Sequence, residues 1–241
     1  MKEKELKFDN KRHIIYSTNA KKAIRAQLIE NYDYQEMEIL WEKTQNIYVR
    51  FIETMPYTGA KKNMQATSIY DTIALFAYYE AVPNKPTAEE FFKLNVETFV
   101  PDMRTRGKLI NLNWKWVECL EYIIFKVIEK TIGSHAKDGT WGNTWKLKVS
   151  PRKSNDGVKY EFTGCPIVDF AKANGFMHLM PEVCNCDYLL MEAIHGDLIR
   201  NHTVAMGYET CDYWLVGDKS PHLKKHPRKK DENGYWYNIM D

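Results

Sequence analysis

Thiols and carboxylates stand close together in one stretch of this sequence, between residues 164 and 214. Four of the five cysteines fall there, and two of them, Cys186 and Cys211, directly precede an aspartate. A thiol beside a carboxylate suits nucleophilic and acid–base chemistry, because the carboxylate can move a proton while the sulfur attacks an electrophilic carbon. The stretch therefore indicates a catalytic site better than it identifies the reaction.

Cys184 and Asp187 form the first candidate catalytic pair. They are three positions apart, so on a helix they share one face. Cys184 could act as a nucleophile while Asp187 handles protons or holds an amino group of the substrate. In the structural alternative, Cys184 is a small buried apolar residue and Asp187 is a cap or an ion-pair partner. A mechanism without a thiol, in which Asp187 activates water directly, also stays open.

Cys211 is the third candidate catalytic residue. It stands at the start of a predicted strand, where neighbouring side chains point to opposite faces, so Cys211 and Asp212 cannot both enter one pocket. We expect Cys211 to line the pocket. Asp212 is a candidate substrate-binding residue that would support the site through hydrogen bonds. Cys165 precedes Pro166 and is therefore extended or in a turn. It could approach the other thiols, but a role in the core explains it equally well.

Three further residues are candidates for substrate binding together with Asp212. Arg200 could clamp a substrate carboxylate, because its planar guanidinium binds carboxylates with two hydrogen bonds; it could equally be a surface arginine at a helix end. Thr203 could donate a hydrogen bond, although a β-branched residue is also common in strands. Asn63 could reach the site from the N-terminal half, although loop asparagines often cap the local backbone.

Neither a histidine base nor a metal is favoured by the spacing of the residues. The histidines near this stretch follow no recognised catalytic pattern and are His178, His195 and His202. Structural zinc sites usually use a Cys-x-x-Cys spacing, whereas Cys184 and Cys186 are two apart and would point away from each other on a helix. We therefore expect no metal and no cofactor.

The composition limits the class of partner. The chain has 241 residues, is 44% hydrophobic and has a formal net charge of +2, so nothing predicts a nucleic-acid partner. No apolar run is long enough to span a bilayer, and the charged N-terminus does not resemble a signal peptide. We expect a cytoplasmic protein with reduced thiols, a small-molecule substrate and no membrane partner. A homo-oligomer stays open.

Helical spacing of apolar residues predicts five helices in the first half. The first is capped by Ser17 or Thr18, the second begins at Asp33 and ends before Pro56, and the third covers 69–79. Thr87 caps the fourth helix, and the fifth covers 112–132 and ends at Gly133. A short strand is expected at 13–16, and the third helix is apolar enough to be buried on most sides.

The pattern changes after residue 133. A loop is expected at 134–143, strands at 144–149 and 158–163 with a hairpin turn at 155–157, and helices at 167–174 and within 181–194. Segments 203–206 and 211–216 are expected to pair as strands around Gly207. Helices followed by strands predict an α+β fold in a single domain, 1–241. Its parts would be a mainly helical half (1–133), a strand-containing half with the site (134–218) and a basic, mobile surface tail (219–241).

Several short motifs resemble the L-2-amino-thiazoline-4-carboxylic acid hydrolase family. In the N-terminal half the resemblance consists of Pro-x-x-Gly-x-x-x-Asn, residues 56–63. It becomes denser from Gly164 to Trp214, through Cys165-Pro166, Cys184-x-x-Asp187 and the block from Arg200 to Asp212. That block reads Thr-x-Ala-x-Gly followed by Cys-Asp and an aromatic residue, and it is the most specific part.

The resemblance implies hydrolysis of a cyclic C=N bond. In such a reaction water opens a small thiazoline that carries an amidine-like carbon and a carboxylate, and the product is a carbamoylated cysteine. We therefore expect a hydrolase that opens a small cyclic amidine or imine at a C–N bond, with Cys184 or Cys211 as a possible nucleophile. The alternative is a non-enzymatic binding or sensor protein whose aromatic residues line a cavity.

Overall fold

The computed structural model describes residues 6–142, 144–152 and 157–240. The α-helices of this part are α1 (Thr18–Asn31), α2 (Tyr34–Glu53), α3 (Ala66–Ala81), α4 (Ala88–Gly107), α5 (Lys115–Asp138), α6 (Pro166–Asn174), α7 (Met180–Glu192) and α8 (His222–Lys225). The strands are β1 (Lys146–Val149), β2 (Val158–Thr163), β3 (Gly196–Ile199), β4 (Thr210–Gly217), β5 (Arg228–Lys230) and β6 (Trp236–Asn238). The predicted α+β class is confirmed.

Four of the strands form one antiparallel sheet in the order β1-β2-β4-β3, and β5 pairs with β6 in a separate hairpin. In the register of β2 and β4, Tyr160 lies opposite Tyr213 and Phe162 opposite Cys211. Helix α5 packs against β1 and β2, while α7 packs against β3 and against α4. The predicted strand at 158–163 is confirmed, and the one predicted at 144–149 begins only at Lys146. Asn155 and Asp156 of the predicted turn lie outside the described residues.

Helix α3 is the centre of the helical half, as its apolar sequence predicts. Its residues from Ile69 to Tyr78 are all buried, and it packs against α1, α2, α4 and α6. Phe76 stacks on Phe176, with ring centroids 4.9 Å apart, which joins α3 to the turn after α6. A helix that is apolar all round is stable only when neighbours cover it on every side. Among the helices of the described residues, none is long and apolar enough to cross a membrane.

The predicted caps are confirmed at three helices. Their side chains accept hydrogen bonds from first-turn backbone N–H groups that have no acceptor within the helix. The Ser17 Oγ accepts the Ala20 N–H, and Asp33 accepts the N–H groups of residues 35 and 36. Thr87 and Glu90 form a reciprocal capping box at the start of α4. Helix α3 differs, because it begins at Ala66, before the predicted Thr67 or Ser68 cap, and no side chain caps it.

Helix α5 is longer than predicted, and the predicted loop at 134–143 is therefore partly wrong. The helix passes through Gly133 and continues to Asp138, where Gly139 adopts a left-handed conformation (φ 67°) and ends it. A single glycine inside a helix costs only about 1 kcal/mol, so the surrounding turns can override it. Gly139 ends the helix because it adopts the left-handed conformation that is common directly after a helix C-terminus.

Two predicted strands are also wrong. Residues 13–16 run without a sheet partner in the described part of the chain, because helix side chains satisfy this segment: Tyr48 donates to the Ile14 carbonyl at 2.8 Å. Residues 204–206 form a 3₁₀ turn capped by Thr203, whose Oγ1 accepts the Met206 N–H. The partners of β4 are β2 and β3, and β3 was not predicted.

The segment after residue 218 is not the solvated surface tail that its basic composition predicts. It folds into α8 and the β5–β6 hairpin, and His226, Tyr235 and Asn238 are buried. Arg228 forms ion pairs with Glu192 at 3.0 Å and with Asp197 at 2.6 Å. The basic run is therefore in part neutralised by acidic side chains of the preceding elements.

Asp71 on α3 gives a pH-dependent prediction. Its buried carboxylate accepts the Ser17 N–H at 2.6 Å, and burial raises the pKa of Asp71 to about 6 from 3.8. Because the folded-state pKa is raised, this group favours folding fully below pH 3.8 and loses that contribution as the pH rises through about 6. Asp71→Asn keeps an acceptor for Ser17 but removes the titration. Between pH 4 and 7, we expect the wild type to lose on the order of 2 kcal/mol of unfolding free energy relative to this variant.

Urea denaturation across this pH range would measure the difference. The exposed Glu232 of the β5–β6 hairpin, which is not among the groups that shift the pKa of Asp71, offers a control as Glu232→Gln. Parallel curves for the wild type and Asp71→Asn would contradict the prediction.

Candidate active site

A cavity of about 250 Å³ lies between the sheet, α7 and the start of α6. Its walls are mostly aromatic and aliphatic, and its polar groups are few. The polar and thiol groups that line it are Gln65, Ser68, Thr72, Tyr160, Cys165, Cys184, Cys186, Asp187, Arg200, Cys211 and Tyr213. An apolar cavity with a few converging polar groups is the usual form of a small-molecule site.

The sheet supplies one wall through the alternation of its strands. Cys211, Tyr213 and Leu215 point from β4 into the cavity, and Tyr160 and Phe162 point from β2. Tyr160 stacks on Tyr213 with ring centroids 5.0 Å apart. Side chains two positions apart share a face of a strand, so the same alternation that brings Cys211 into the cavity also brings Tyr213.

Helix α7 supplies the opposite wall through helical spacing. Met180, Val183, Cys184, Asp187 and Met191 recur at intervals of three and four residues and all line the cavity. The predicted shared face of Cys184 and Asp187 is therefore present. Cys186 also borders the cavity, although it is 2% exposed.

Arg200, which directly follows β3, connects the two walls. Its side chain is 1% exposed, and its Nη1 donates to Asp187 Oδ2 at 2.7 Å while its Nη2 donates to the Cys184 carbonyl at 2.8 Å. The Tyr213 hydroxyl donates to the same Asp187 oxygen at 2.7 Å. Burial, and then the charge of Asp187, raises the pKa of Tyr213, so this hydroxyl keeps its proton and remains a donor.

The second oxygen of Asp187 is uncommitted. Both hydrogen bonds to the carboxylate end on Oδ2, and within the described residues no group donates to Oδ1. The Asp187 side chain is 32% exposed, whereas its partner Arg200 is almost fully buried. The carboxylate is thus held on one side by the protein and remains accessible on the other.

The C-terminal hairpin fixes the backbone of Arg200. Asn238 Oδ1 accepts the Arg200 N–H at 3.0 Å, and the Asn238 N–H donates to the Arg200 carbonyl. Tyr188 on α7 donates to the same Asn238 oxygen at 3.1 Å. The segment beyond residue 218 therefore helps to build the site, a contribution that its basic sequence does not signal.

Burial raises the pKa of every thiol that lines the cavity. The pKa of Cys211 rises to about 12, and the shifts of Cys184 and Cys186 are also large. Cys165 is raised by burial too, but the Val168 N–H and the Trp145 side chain oppose that shift. Cys165 stands at the N-terminus of α6, where backbone N–H groups stabilise a thiolate. The thiols are therefore protonated at neutral pH.

Three of the predicted substrate-binding residues do not line the cavity. Asp212 lies on the other face of β4 and accepts the backbone N–H groups of Asn201 and His202. Thr203 caps the turn that follows. Asn63 donates to the Thr58 carbonyl at 2.7 Å and accepts the Gln65 N–H. All three shape the loops around the cavity by hydrogen bonding to the backbone.

The loop that carries Asn63 depends on Gly59. Gly59 has φ 97°, and a Cβ at this position would lie 2.6 Å from the Trp141 ring. Only glycine adopts this conformation without strain and without that collision. Gly59 thereby allows the turn that precedes Gln65 and Ser68, which line the cavity.

The three histidines named from the sequence lie outside the cavity lining. His178 contacts the Tyr79 hydroxyl at 3.1 Å, and His202 contacts Asp212 at 3.3 Å. Within the described ranges, no group of three or more His, Cys, Asp or Glu side chains is placed to hold a metal ion together. The acid–base group that the geometry presents to the cavity is Asp187.

Two groups of cavity residues were missed from the sequence. Tyr213 carried a signal, since it stands two positions after Cys211 on one strand. Three polar residues at the start of α3, Gln65 at its N-cap with Ser68 and Thr72, carried none, because only the tertiary packing of this helix brings them to the cavity.

Comparison with known proteins supports the resemblance seen in the motifs. The sequence model described as L-2-amino-thiazoline-4-carboxylic acid hydrolase matches residues 22–215, which is well over half of the chain. Comparisons with curated proteins and with solved structures returned no match. The matched range includes α7, β3 and β4 with the cavity residues they carry. The chain belongs to the L-2-amino-thiazoline-4-carboxylic acid hydrolase family.

Proposed function

We propose that this protein hydrolyses a small cyclic amidine of the 2-aminothiazoline-carboxylate type, with Asp187 as the acid–base residue. The proposal rests on the carboxylate of Asp187 in a cavity of about 250 Å³. The protein holds its Oδ2 with two hydrogen bonds, and its Oδ1 is available to a substrate. A five-membered ring with one carboxylate and one amino group suits a cavity of this size. The family to which the chain belongs is named for such a substrate.

Asp187 has the contacts that a base or an amidine-binding group requires. The Arg200 guanidinium and the Tyr213 hydroxyl both hold Oδ2, so the orientation of the carboxylate is set before a substrate binds. Oδ1 can then accept an N–H of the amidine or a proton from a water molecule. A group within hydrogen-bond reach of the proton it abstracts is the first requirement of general base catalysis.

The reaction follows from this placement. A water molecule loses a proton to Asp187 as its oxygen bonds to the amidine carbon, and the electron pair of the C=N bond moves to nitrogen. The hydroxyl proton of the tetrahedral adduct passes to that nitrogen as the hydroxyl becomes a carbonyl. The bond between the carbon and a ring heteroatom breaks, and the proton held by Asp187 passes to the leaving atom. One water is consumed, and a carbamoyl group remains on the opened chain.

The raised thiol pKa values favour water over a cysteine as the nucleophile. A thiolate is the reactive form of cysteine, and burial disfavours it at Cys184 and Cys211, the two cysteines named from the sequence. We infer that these thiols form a weakly polar wall against the ring and its sulfur. A cysteine nucleophile would need Asp187 to remove its proton during the attack.

Arg200 has a positioning role in this proposal. Its Nη1 donates to Asp187 and its Nη2 donates to the Cys184 carbonyl. The guanidinium therefore does not offer its two terminal nitrogens together to a substrate carboxylate. The amide of Gln65 and the hydroxyls of Ser68 and Thr72, at the start of α3, are better placed to meet the polar end of the substrate, because they line the same cavity. We therefore assign Arg200 to the positioning of Asp187 and not to the binding of a substrate carboxylate.

Asp187→Asn is expected to lower kcat for 2-amino-thiazoline-4-carboxylate by about 10²- to 10⁴-fold, because it removes the proton acceptor but keeps the size of the side chain. Cys184→Ser and Cys211→Ser should each lower kcat by less than about tenfold, since neither thiol attacks the substrate. Liquid chromatography with mass spectrometry would follow the carbamoylated product.

Asp197 on β3 provides a matched control. It is also paired with an arginine, Arg228, but lies outside the cavity, so Asp197→Asn should retain activity. If Asp187→Asn stays active while Cys184→Ser or Cys211→Ser is inactive, the water mechanism is wrong and a cysteine nucleophile replaces it.

Alkylation of the thiols gives a second prediction. At pH 7, iodoacetamide should label Cys165, Cys184, Cys186 and Cys211 at least tenfold more slowly than free glutathione, because burial raises the pKa of each thiol. Peptide mapping over a time course would give the individual rates. Rapid labelling of one cavity thiol, blocked by substrate, would identify a nucleophile that the structure argues against.

A binding or sensor protein is the second candidate function, and the protonated thiols in an apolar cavity are the observation that favours it. Isothermal titration with 2-amino-thiazoline-4-carboxylate separates the two candidates. Binding without turnover would support the sensor, whereas turnover that depends on Asp187 supports the hydrolase.

A further inference from the structure

Helix α5 is apolar on two opposite faces, but the structure covers only one of them. Its inner face packs on the sheet through Tyr122, Phe125, Ile128 and Ile132, and Val117 packs against Leu112 and Ile194. A surface helix normally has one apolar stripe, and a helix that is apolar all round is normally covered on all sides. The second apolar face of α5 therefore requires an explanation.

The uncovered face forms a regular stripe, which we call the outer stripe. It consists of Trp116 (59% exposed), Leu120 (45%), Ile123 (53%), Ile124 (36%) and Val127 (57%). The positions 116, 120, 123 and 127 follow the alternating four- and three-residue spacing of a coiled-coil seam. At 1.5 Å per residue the outer stripe is about 16 Å long.

The neighbourhood extends this apolar surface. Trp114 is 47% exposed and stacks on Trp116 with ring centroids 5.9 Å apart. Together these six side chains present several hundred Å² of apolar surface, which reaches or exceeds the largest patch on a typical monomer. A surface of this extent approaches what one partner contributes to a stable interface, about 800 Å².

We propose that the outer stripe is the interface of a homodimer in which α5 of one copy packs antiparallel against α5 of a second copy. In a twofold arrangement the same patch faces itself, so it must be self-complementary. Positions 116 and 127, and positions 120 and 123, are equidistant from a twofold axis near the middle of the stripe. Trp116 of each copy then lies opposite Val127 of the other, a large side chain against a small one, and Leu120 lies opposite Ile123.

The charges around the outer stripe are compatible with a second copy. No charged residue falls within the stripe itself, and Lys126 at its edge is neutralised by Glu129 at 2.7 Å. Antiparallel helices also bring the positive end of one macrodipole beside the negative end of the other. A helix that lies on a membrane surface typically carries a basic polar face opposite its apolar one, whereas the opposite face of α5 is packed on the sheet.

Sedimentation velocity of the full chain over a micromolar concentration series tests the proposal. The wild type is expected to sediment as a dimer. Two double variants, Leu120→Lys/Ile123→Lys and Leu120→Glu/Ile123→Glu, should each weaken association at least 100-fold, because like charges would face each other across the twofold axis. Mixing the lysine variant with the glutamate variant should restore dimers, since opposite charges then meet at the same positions.

A matched control uses two exposed isoleucines on other helices. Ile29 is 63% exposed on α1 and Ile39 is 67% exposed on α2, and Ile29→Lys/Ile39→Lys should leave the dimer intact. Circular dichroism and urea midpoints would verify that all variants fold. A wild type that stays monomeric overturns the proposal. A monomer that binds anionic phospholipid vesicles in a flotation assay overturns it as well. Failure of the mixed variants to form heterodimers also overturns it.

Discussion

The buried guanidinium of Arg200 is the constraint on which the site depends. A charged group that is 1% exposed is costly unless a partner and hydrogen bonds compensate for its lost hydration. Asp187 supplies the charge, and the Cys184 carbonyl and the Tyr213 hydroxyl supply further contacts. One nitrogen, Nε, still has no partner in the described part of the chain. Compensation is thus nearly complete, and it fixes α7, β4 and the residue after β3 relative to one another.

The same constraint explains why the C-terminal hairpin belongs to the site. Arg200 directly follows β3, so its backbone must be held by something other than the continuing sheet. Asn238 accepts the N–H of Arg200 and donates to its carbonyl, and Tyr188 of α7 donates to the Asn238 side chain and to the same carbonyl. A polar side chain that is 2% exposed is favourable only when its groups are satisfied, so Asn238 and Arg200 stabilise each other's burial.

A cavity built in this way separates two chemical environments. On the side of Arg200, fixed donors hold one oxygen of Asp187, while the other oxygen remains available to a bound molecule. On the thiol side, burial keeps Cys184 and Cys211 protonated and weakly polar. In the proposed function, this combination suits a compact ring with basic nitrogens and an electrophilic carbon, and the stretch rich in cysteines need not use cysteine as its nucleophile.

Several features follow directly from the order of the residues: the caps at Ser17, Asp33 and Thr87, the strand at 158–163, the shared face of Cys184 and Asp187, the α+β class and the family. These depend on periodicity and on short-range hydrogen bonds, which neighbouring residues decide. Packing between distant segments set the remaining features: α5 passes through Gly133, residues 204–206 form a turn, and Asp212 and Asn63 support loops. It also decided that Arg200 pairs with Asp187 and that Asn238, from a basic C-terminal segment, holds Arg200 in place. The physical reason is that burial and pairing depend on which distant segments meet, and no local pattern records that.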